Sequence, residues 1–408
     1  MNNVKAIQLA SVKYTAYFYR MYSRRLETLL AASRKSVLLL GPRQVGKSTL
    51  MRALRPTLEI NLAHESTYLD FARNPLELES RINAIPTPAR PSTLRTIFID
   101  EIQRQPSLLN TIQSLLDRPN HDLRFLLTGS SARKLRRGEA NLLPGRLHAY
   151  RMGPLASAEL DYAIPTSAAL MYGTLPGILT ESSVRDREKT LRSYAAIYLR
   201  EEVQAKGLTR SLEGFARYLT VIGEWAGAHL DLAKIATAAQ VSRMSAGRWL
   251  DVLEDTLLVH RVDAFAKSAT RRLVQHPKVY FFDVGVLNGL LGNFVASPDR
   301  IGRLFEHLVY TQIVHSASAF DDDVRVSAFR TEHGAEVDFI VERGPDLFAI
   351  EVKASRTVAA SDLRGLERFA DYYGKPHRRM VWYLGNEPKR IGEVDILPWQ
   401  QGLQAIGW

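Results

Sequence analysis

The chain has 408 residues, 46% hydrophobic and 24% charged, the balance of a globular protein with room for two or three cores. It contains no cysteine, which excludes disulfides, thiolate zinc sites and thiol nucleophiles, and is compatible with a reducing, cytoplasmic setting. The net charge of +11 points to an anionic partner, nucleic acid first, and no apolar run reaches the roughly 18 residues of a membrane span.

The first 35 residues place Arg20, Arg24, Arg25 and Glu27 among apolar positions, an amphipathic helix pattern and not a signal peptide. Between Ser36 and Tyr150, β-rich runs at Ser36–Leu40, Thr67–Asp70, Thr96–Asp100 and Arg124–Thr128 alternate with helical stretches. That alternation predicts a parallel α/β sheet. The prolines of Ala84–Ser92 predict a loop. From Gly153 to Ala264 the apolar spacing is helical, and from Pro277 onward strand-like runs return at Val279–Phe282, Val337–Val341, Phe348–Val352 and Met380–Leu384. The division expected is 1–152, 153–265 and 266–408.

The first predicted strand runs into Gly41-Pro42-Arg43-Gln44-Val45-Gly46-Lys47-Ser48, the P-loop pattern with every fixed position filled. Gly41 and Gly46 let the backbone curl so that its N–H groups face phosphate oxygens. Lys47 would neutralise the β- and γ-phosphates of ATP, Ser48 would offer its hydroxyl to Mg²⁺, and Thr49 opens the helix that follows. The run Thr96–Glu101 is an apolar strand ending in two acids. Asp100 would hold Mg²⁺ through water and Glu101 would orient the attacking water, which favours an ATPase over a kinase or a passive switch. A third strand ends in Thr128-Gly129-Ser130-Ser131, where Thr128 and Ser130 are equal candidates for sensing the γ-phosphate. Arg146 is a candidate phosphate contact, in its own chain or across to a neighbouring subunit.

In the middle block, Leu230–Val259 reads as short helices with a turn at Val241-Ser242, followed by strand-like Leu258–Val262. This order suggests a winged-helix module that would present Arg243, Ser245 and Arg248 to nucleic acid, or else a structural lid. In the C-terminal block, Glu306 lies in a helical stretch, Gly302–Val314. Asp338 and Glu351 fall on successive strands of a hairpin, with Lys353 two residues on. Asp338 and Glu351, with Glu306 as an extra ligand or a structural partner, would bind Mg²⁺ or Mn²⁺, and Lys353 would position or deprotonate water for phosphodiester cleavage. A solvent-facing, salt-bridged strand is the alternative reading.

Taken together, Gly41–Lys47, Tyr68-Leu-Asp70, Phe98–Gln103, Leu127–Ser131, Gly145-Arg146, Gly153–Leu155, Pro277–Phe281, Asp283, Phe305-Glu306, Phe329-Arg330, Glu336–Asp338 and Glu351–Lys353 resemble a bacterial and archaeal family. Its members join an AAA-type ATPase to a C-terminal DUF4143 domain, and the resemblance covers nearly the whole chain. It implies an α/β fold class: a P-loop AAA-type core with a parallel sheet, a helical, winged-helix-like middle, and an α/β, restriction-endonuclease-like C-terminal domain similar to PD-(D/E)xK nucleases. The function expected is an ATPase whose cycle controls a nucleic-acid-binding domain with metal-dependent nuclease chemistry. The alternative is a regulatory ATPase with a non-catalytic module for a nucleic-acid or protein partner, and a homo-oligomer is also open. The basic clusters Arg133, Lys134, Arg136, Arg137 and Arg271, Arg272 carry part of the surplus charge.

Overall fold

Strands buried on both faces read as unbroken apolar runs, and Val37-Leu38-Leu39-Leu40 is such a run. In the computed structural model it lies inside a five-stranded sheet. The structure describes residues 22–88, 93–119, 121–130, 145–204, 212–265 and 276–408, without the side chains of 198–204 and 212. Arg20, Ser131 and the six residues of the two basic clusters lie outside the described residues. The chain forms two compact units, Met1–Gly153 with Asp255–Leu257, and Pro154–Glu254 with Leu258–Trp408. The stretches 153–265 and 266–408 therefore fall almost entirely within the second unit.

The first unit runs α1 (Leu26–Ala32), β1 (Ser36–Leu40), α2 (Lys47–Ala53), β2 (Leu58–Asn61), α3 (Glu65–Arg73), α4 (Glu77–Asn83), β3 (Arg95–Asp100), α5 (Leu108–Leu116), β4 (Leu123–Gly129) and β5 (Leu147–Arg151). The strand order is β2-β3-β4-β1-β5, and every pairing is parallel. One face packs Leu38, Ile60, Ile97, Ile99, Phe125 and Leu127 against Phe71, Leu78, Ile112 and Leu115 of α3, α4 and α5. Because β4 lies between β1 and β3, the strand that enters the P-loop and the strand that ends in acids flank the same neighbour. Leu39 is level with Thr128, and Ile99 with Leu127.

Thr67–Asp70, expected as a strand, is part of helix α3. The strand in that region is β2, an edge strand whose only buried residue is Ile60, so it carries little apolar signal. After β2 the Asn61 side chain accepts the Ala63 N–H at 2.9 Å, an Asx turn that redirects the chain. The Tyr68 N–H then bonds the His64 carbonyl at 2.9 Å, in helical spacing.

The second unit opens with α6 (Thr166–Tyr172), α7 (Pro176–Thr180), α8 (Val184–Gln204), α9 (Leu212–Glu224), α10 (Leu232–Ala238) and α11 (Arg243–Asp255). Asp231 caps α10 by accepting the Ala233 and Lys234 N–H groups, both at 3.1 Å. The Ser242 hydroxyl accepts the Ser245 N–H at the expected turn. Strands β6 (Val259–Val262) and β7 (Lys278–Phe281) follow as an antiparallel pair, and the buried helix α12 (Val284–Leu291) packs on α6, α8 and α9.

The remainder runs α13 (Ile301–Phe320), β8 (Val324–Arg330), β9 (Glu336–Arg343), β10 (Asp346–Lys353), α14 (Arg364–Tyr373), β11 (Arg378–Tyr383), β12 (Lys389–Ile391), β13 (Val394–Pro398) and α15 (Trp399–Ala405). The sheet order is β12-β13-β11-β10-β9-β8, with β8, β9 and β10 antiparallel and β10, β11 and β13 parallel. Helix α13 covers one face through Leu304, Phe305, Leu308 and Ile313, and α14 covers the other through Leu366 and Phe369. Among the described residues no helix is long and apolar enough to cross a membrane.

Candidate functional site

The P-loop stands at the C-terminal end of β1. Gly46 has φ 96°, a left-handed conformation that favours glycine, and α2 starts at the next residue. Gly41 is required for a different reason: a Cβ there would meet the Met152 carbonyl oxygen at 2.1 Å. Between them, Gln44 also takes a positive φ of 63°, and Val45 is fully buried. The Lys47 side chain folds back, and its Nζ donates to the carbonyls of Gly41 at 2.9 Å and Pro42 at 2.7 Å. Burial lowers its pKa to about 8; Glu101 and Asp100 pull the other way and Arg43 adds to the lowering. A buried ammonium whose hydrogen bonds, among the described residues, go to neutral carbonyls is well matched to a polyphosphate ligand.

Asp100 is buried and accepts two hydroxyls on one oxygen, from Ser48 at 2.9 Å and from Thr128 at 2.5 Å. Thr128 also accepts the Glu101 N–H at 3.2 Å. Glu101 itself has φ 59°, so the chain turns sharply as it leaves β3. Ser48 and Asp100 thus meet at the mouth of the P-loop, and their oxygens are a donor pair suited to Mg²⁺. Ser130 is buried at the end of β4 and touches Gln103 instead. Thr49 lies inside α2.

Two placements were not evident from sequence. Arg24 is buried, and its guanidinium bonds the Val45 carbonyl at 3.2 Å and the Gly153 carbonyl at 2.9 Å, tying the start of α1 to the P-loop. Arg146 stands just before β5, whose Leu147 is level with Ser36, so it lies at the end of the sheet opposite the P-loop. There its guanidinium bonds Asp117. Within one chain Arg146 therefore does not reach the phosphate site, a correction imposed by the parallel register.

The second unit gathers Glu306, Asp338 and Glu351 as expected, but with a partner that sequence spacing did not reveal. Lys278 of β7 is 4% exposed in its side chain and pairs with Glu306 at 3.0 Å, Glu336 at 2.8 Å and Asp338 at 3.8 Å. Burial works to lower its pKa, and Glu306, Asp338 and Glu336 outweigh burial and hold it well above the ordinary value. The Tyr280 hydroxyl donates to Glu306 at 2.5 Å. Asp338 accepts the Val352 N–H at 2.8 Å, and burial together with Glu306 and Glu351 pushes its pKa up despite Lys278. Lys353 pairs with Glu351 at 2.9 Å, and burial still raises the Glu351 pKa. For Glu336, burial is outweighed by His229 and Lys278, and its carboxyl falls to about 2.

Among the described residues no group of three or more His, Asp or Glu side chains is placed to hold a metal ion. The Lys278 ammonium offsets part of the carboxylates' charge and stands between Glu306, Glu336 and Asp338, where a divalent cation would have to sit, so the cluster does not fit one.

Removing a buried charge from such a cluster leaves its partners uncompensated. Lys278→Met should therefore destabilise the second unit by about 3 kcal/mol in denaturant unfolding. A change within about 0.5 kcal/mol would show the cluster to be energetically neutral.

Comparison with known proteins gives matches in both units. Residues 33–160 match the family model AAA_14, described as an AAA domain. Residues 301–401 match DUF4143 and residues 166–297 match DUF8612, both described as domains of unknown function. Uncharacterized proteins of Mycobacterium tuberculosis and Mycobacterium bovis are each 29% identical over 357 residues, covering 84% of this chain and 77% of theirs. Among solved structures, the Thermotoga maritima RuvB Holliday junction branch migration motor aligns at 16% identity over 62% of this chain and 89% of that one, with a TM-score of 0.26. NtrX from Brucella abortus in complex with ATP aligns at 12% identity over 56% of this chain and 66% of that one, with a TM-score of 0.24. The chain thus carries an AAA domain match over its P-loop unit and a DUF4143 match over the acidic cluster.

Proposed function

We propose that the chain binds and hydrolyses ATP at its P-loop, and that this cycle controls a second unit that engages nucleic acid. The observation that supports hydrolysis best is the chain of hydroxyls from Ser48 and Thr128 onto Asp100, beside the buried Lys47. In this reading the P-loop N–H groups from Arg43 to Thr49 hold the phosphates, the Gly41 N–H being given to the Gly129 carbonyl and Pro42 having none. Lys47 leaves the carbonyls of Gly41 and Pro42 to neutralise them. Mg²⁺, when bound by Ser48 and Asp100, would offset the phosphate charge. Glu101, next to Asp100 and outside its hydroxyl chain, orients the attacking water and takes its proton. Thr128 acts through Asp100 and the Glu101 backbone.

For the second unit, Lys278 favours a binding module over a metal-dependent nuclease. The PD-(D/E)xK-like reading still has the element order α13-β8-β9-β10-α14-β11 in its support, with Glu306, Asp338, Glu351 and Lys353 drawn together. The ammonium in their midst argues that this arrangement no longer loads metal. Helices α10 and α11, followed by the β6–β7 pair, support a winged-helix-like reading, with Arg243 and Arg248 exposed on α11. Most of the +11 charge needs an anion other than ATP, and nucleic acid is the partner proposed.

Three measurements bear on this reading. The Lys47 pKa of about 8 in the free chain lies below its value in a complex with ATP, since phosphate favours the ammonium. ATP affinity should therefore be full below about pH 8 and fall toward tenfold per unit above it, and a flat affinity from about pH 7 to 9.5 would contradict the role of Lys47. Glu101→Gln should lower steady-state phosphate release at least roughly 100-fold while ATP still binds. An unchanged rate would make the protein a passive nucleotide switch. With a DNA and RNA panel plus Mg²⁺ or Mn²⁺, with and without ATP, the wild-type protein should bind without cleaving. Cleavage lost in Lys353→Ala would restore the nuclease reading.

A further inference from the structure

The turn that follows Glu101 holds a side chain to which no role has yet been given. Ile102–Arg104 form a single 3₁₀ turn, and it brings Gln103 back against the end of β4. Gln103 is 9% exposed. Its Nε2 donates one hydrogen bond to the Glu101 carboxylate and another to the Ser130 hydroxyl at 3.1 Å. The orientation of the amide follows from chemistry: an ionised carboxylate can only accept, so the NH₂ must face Glu101 and the carbonyl must face away. The carbonyl Oε1 is buried and has no hydrogen-bond partner among the described residues. A buried polar atom without a partner costs free energy, so this amide pose is maintained by what its other end does.

We infer that Gln103 is a positioning residue for hydrolysis, an amide clamp that sets the Glu101 carboxylate relative to the end of β4. The Glu101 backbone is already fixed by the Thr128 hydroxyl and a left-handed φ. Its side chain is the remaining freedom, and Gln103 takes it up. Both partners of the amide, Glu101 and Ser130, directly follow the neighbouring strands β3 and β4, so the clamp ties the water-orienting carboxylate to a strand that pairs with β1. Gln103 makes no contact with Lys47, Ser48 or Asp100 in the hydrogen-bond network above. It should therefore act on the chemical step and leave ATP binding alone.

This inference rests on the hydrolysis reading, and the test separates the two. ATP turnover and ATP binding are measured for the wild-type chain, Gln103→Met, Gln103→Asn, Glu101→Gln and the double variant Gln103→Met with Glu101→Gln. Methionine keeps the length and removes the amide; asparagine keeps the amide but falls one methylene short. Both should lower kcat at least about tenfold, with KM for ATP within about twofold and the unfolding midpoint unchanged. In the Glu101→Gln background, Gln103→Met should cost less than about twofold more, because a clamp acts only through what it clamps. Wild-type turnover that persists in both Gln103 variants would overturn the inference alone, as would a tenfold loss repeated in full without Glu101. Full activity of Gln103→Asn would reduce Gln103 to a polar filler and overturn it too, even if Gln103→Met fails to fold. A wild-type chain that turns over no ATP would overturn both readings.

Discussion

A buried carboxylate and a buried ammonium at the end of one sheet are the constraint on which the first unit depends. Asp100 and Lys47 are 6% and 5% exposed, and isolated charges at that depth cost several kcal/mol each. Lys47 is answered by two backbone carbonyls and Asp100 by two hydroxyls. The partners of Lys47 come from the P-loop itself, but those of Asp100 depend on β4 lying between β1 and β3, because Ser48 follows β1, Asp100 ends β3, and Thr128 belongs to β4. The strand order is therefore more than a packing solution: it assembles a polar network that no single strand could satisfy. The close approach of the Met152 carbonyl, which leaves room for Gly41 and no other residue, and the Arg24 guanidinium then hold the P-loop in that setting.

The second unit solves a similar problem with the signs reversed. Glu306, Glu336 and Asp338 approach from α13 and β9, and a lysine from β7 answers them. Desolvation of a multi-carboxylate cluster is costly, and a fixed internal cation makes it tolerable without a bound ion. The same lysine links the β6–β7 pair to α13 and β9, beside an apolar core in which Leu170 and Tyr280 pack with Phe305 and Phe339.

Local chemistry was legible in the sequence and long-range chemistry was not. Gly41 to Ser48, Asp100 and Glu101 are contiguous motifs whose spacing is set by backbone geometry, and the strands that carry them, β1, β3 and β4, lie within a residue of their expected positions. Alternation along the β9–β10 hairpin suggested Asp338 close to Glu351, and Asp338 accepts the N–H of the adjacent Val352. Lys278 is 28 residues from Glu306 and 60 from Asp338, and no periodicity links them. Arg24 and Gln103 act through backbone carbonyls and a tight turn, which leave no compositional trace. Thr67–Asp70 failed for a different reason: β2 is a short, half-exposed edge strand, and the more apolar residues after it belong to a helix that buries Phe71. Arg146 was placed by proximity to a glycine turn, whereas the register of β5 sets it at the far end of the sheet.

The central claim is that the Lys47 ammonium, held in the free chain by the carbonyls of Gly41 and Pro42, transfers to a nucleotide polyphosphate while Ser48 and Asp100 take the metal. A crystal structure with Mg²⁺ and a non-hydrolysable ATP analogue tests it directly. The account predicts Lys47 Nζ within hydrogen-bond distance of the β- and γ-phosphate oxygens, the Ser48 hydroxyl released from Asp100 onto Mg²⁺, and Asp100 facing the metal through water. A nucleotide bound elsewhere, or Lys47 still on the two carbonyls with the polyphosphate in place, would contradict it.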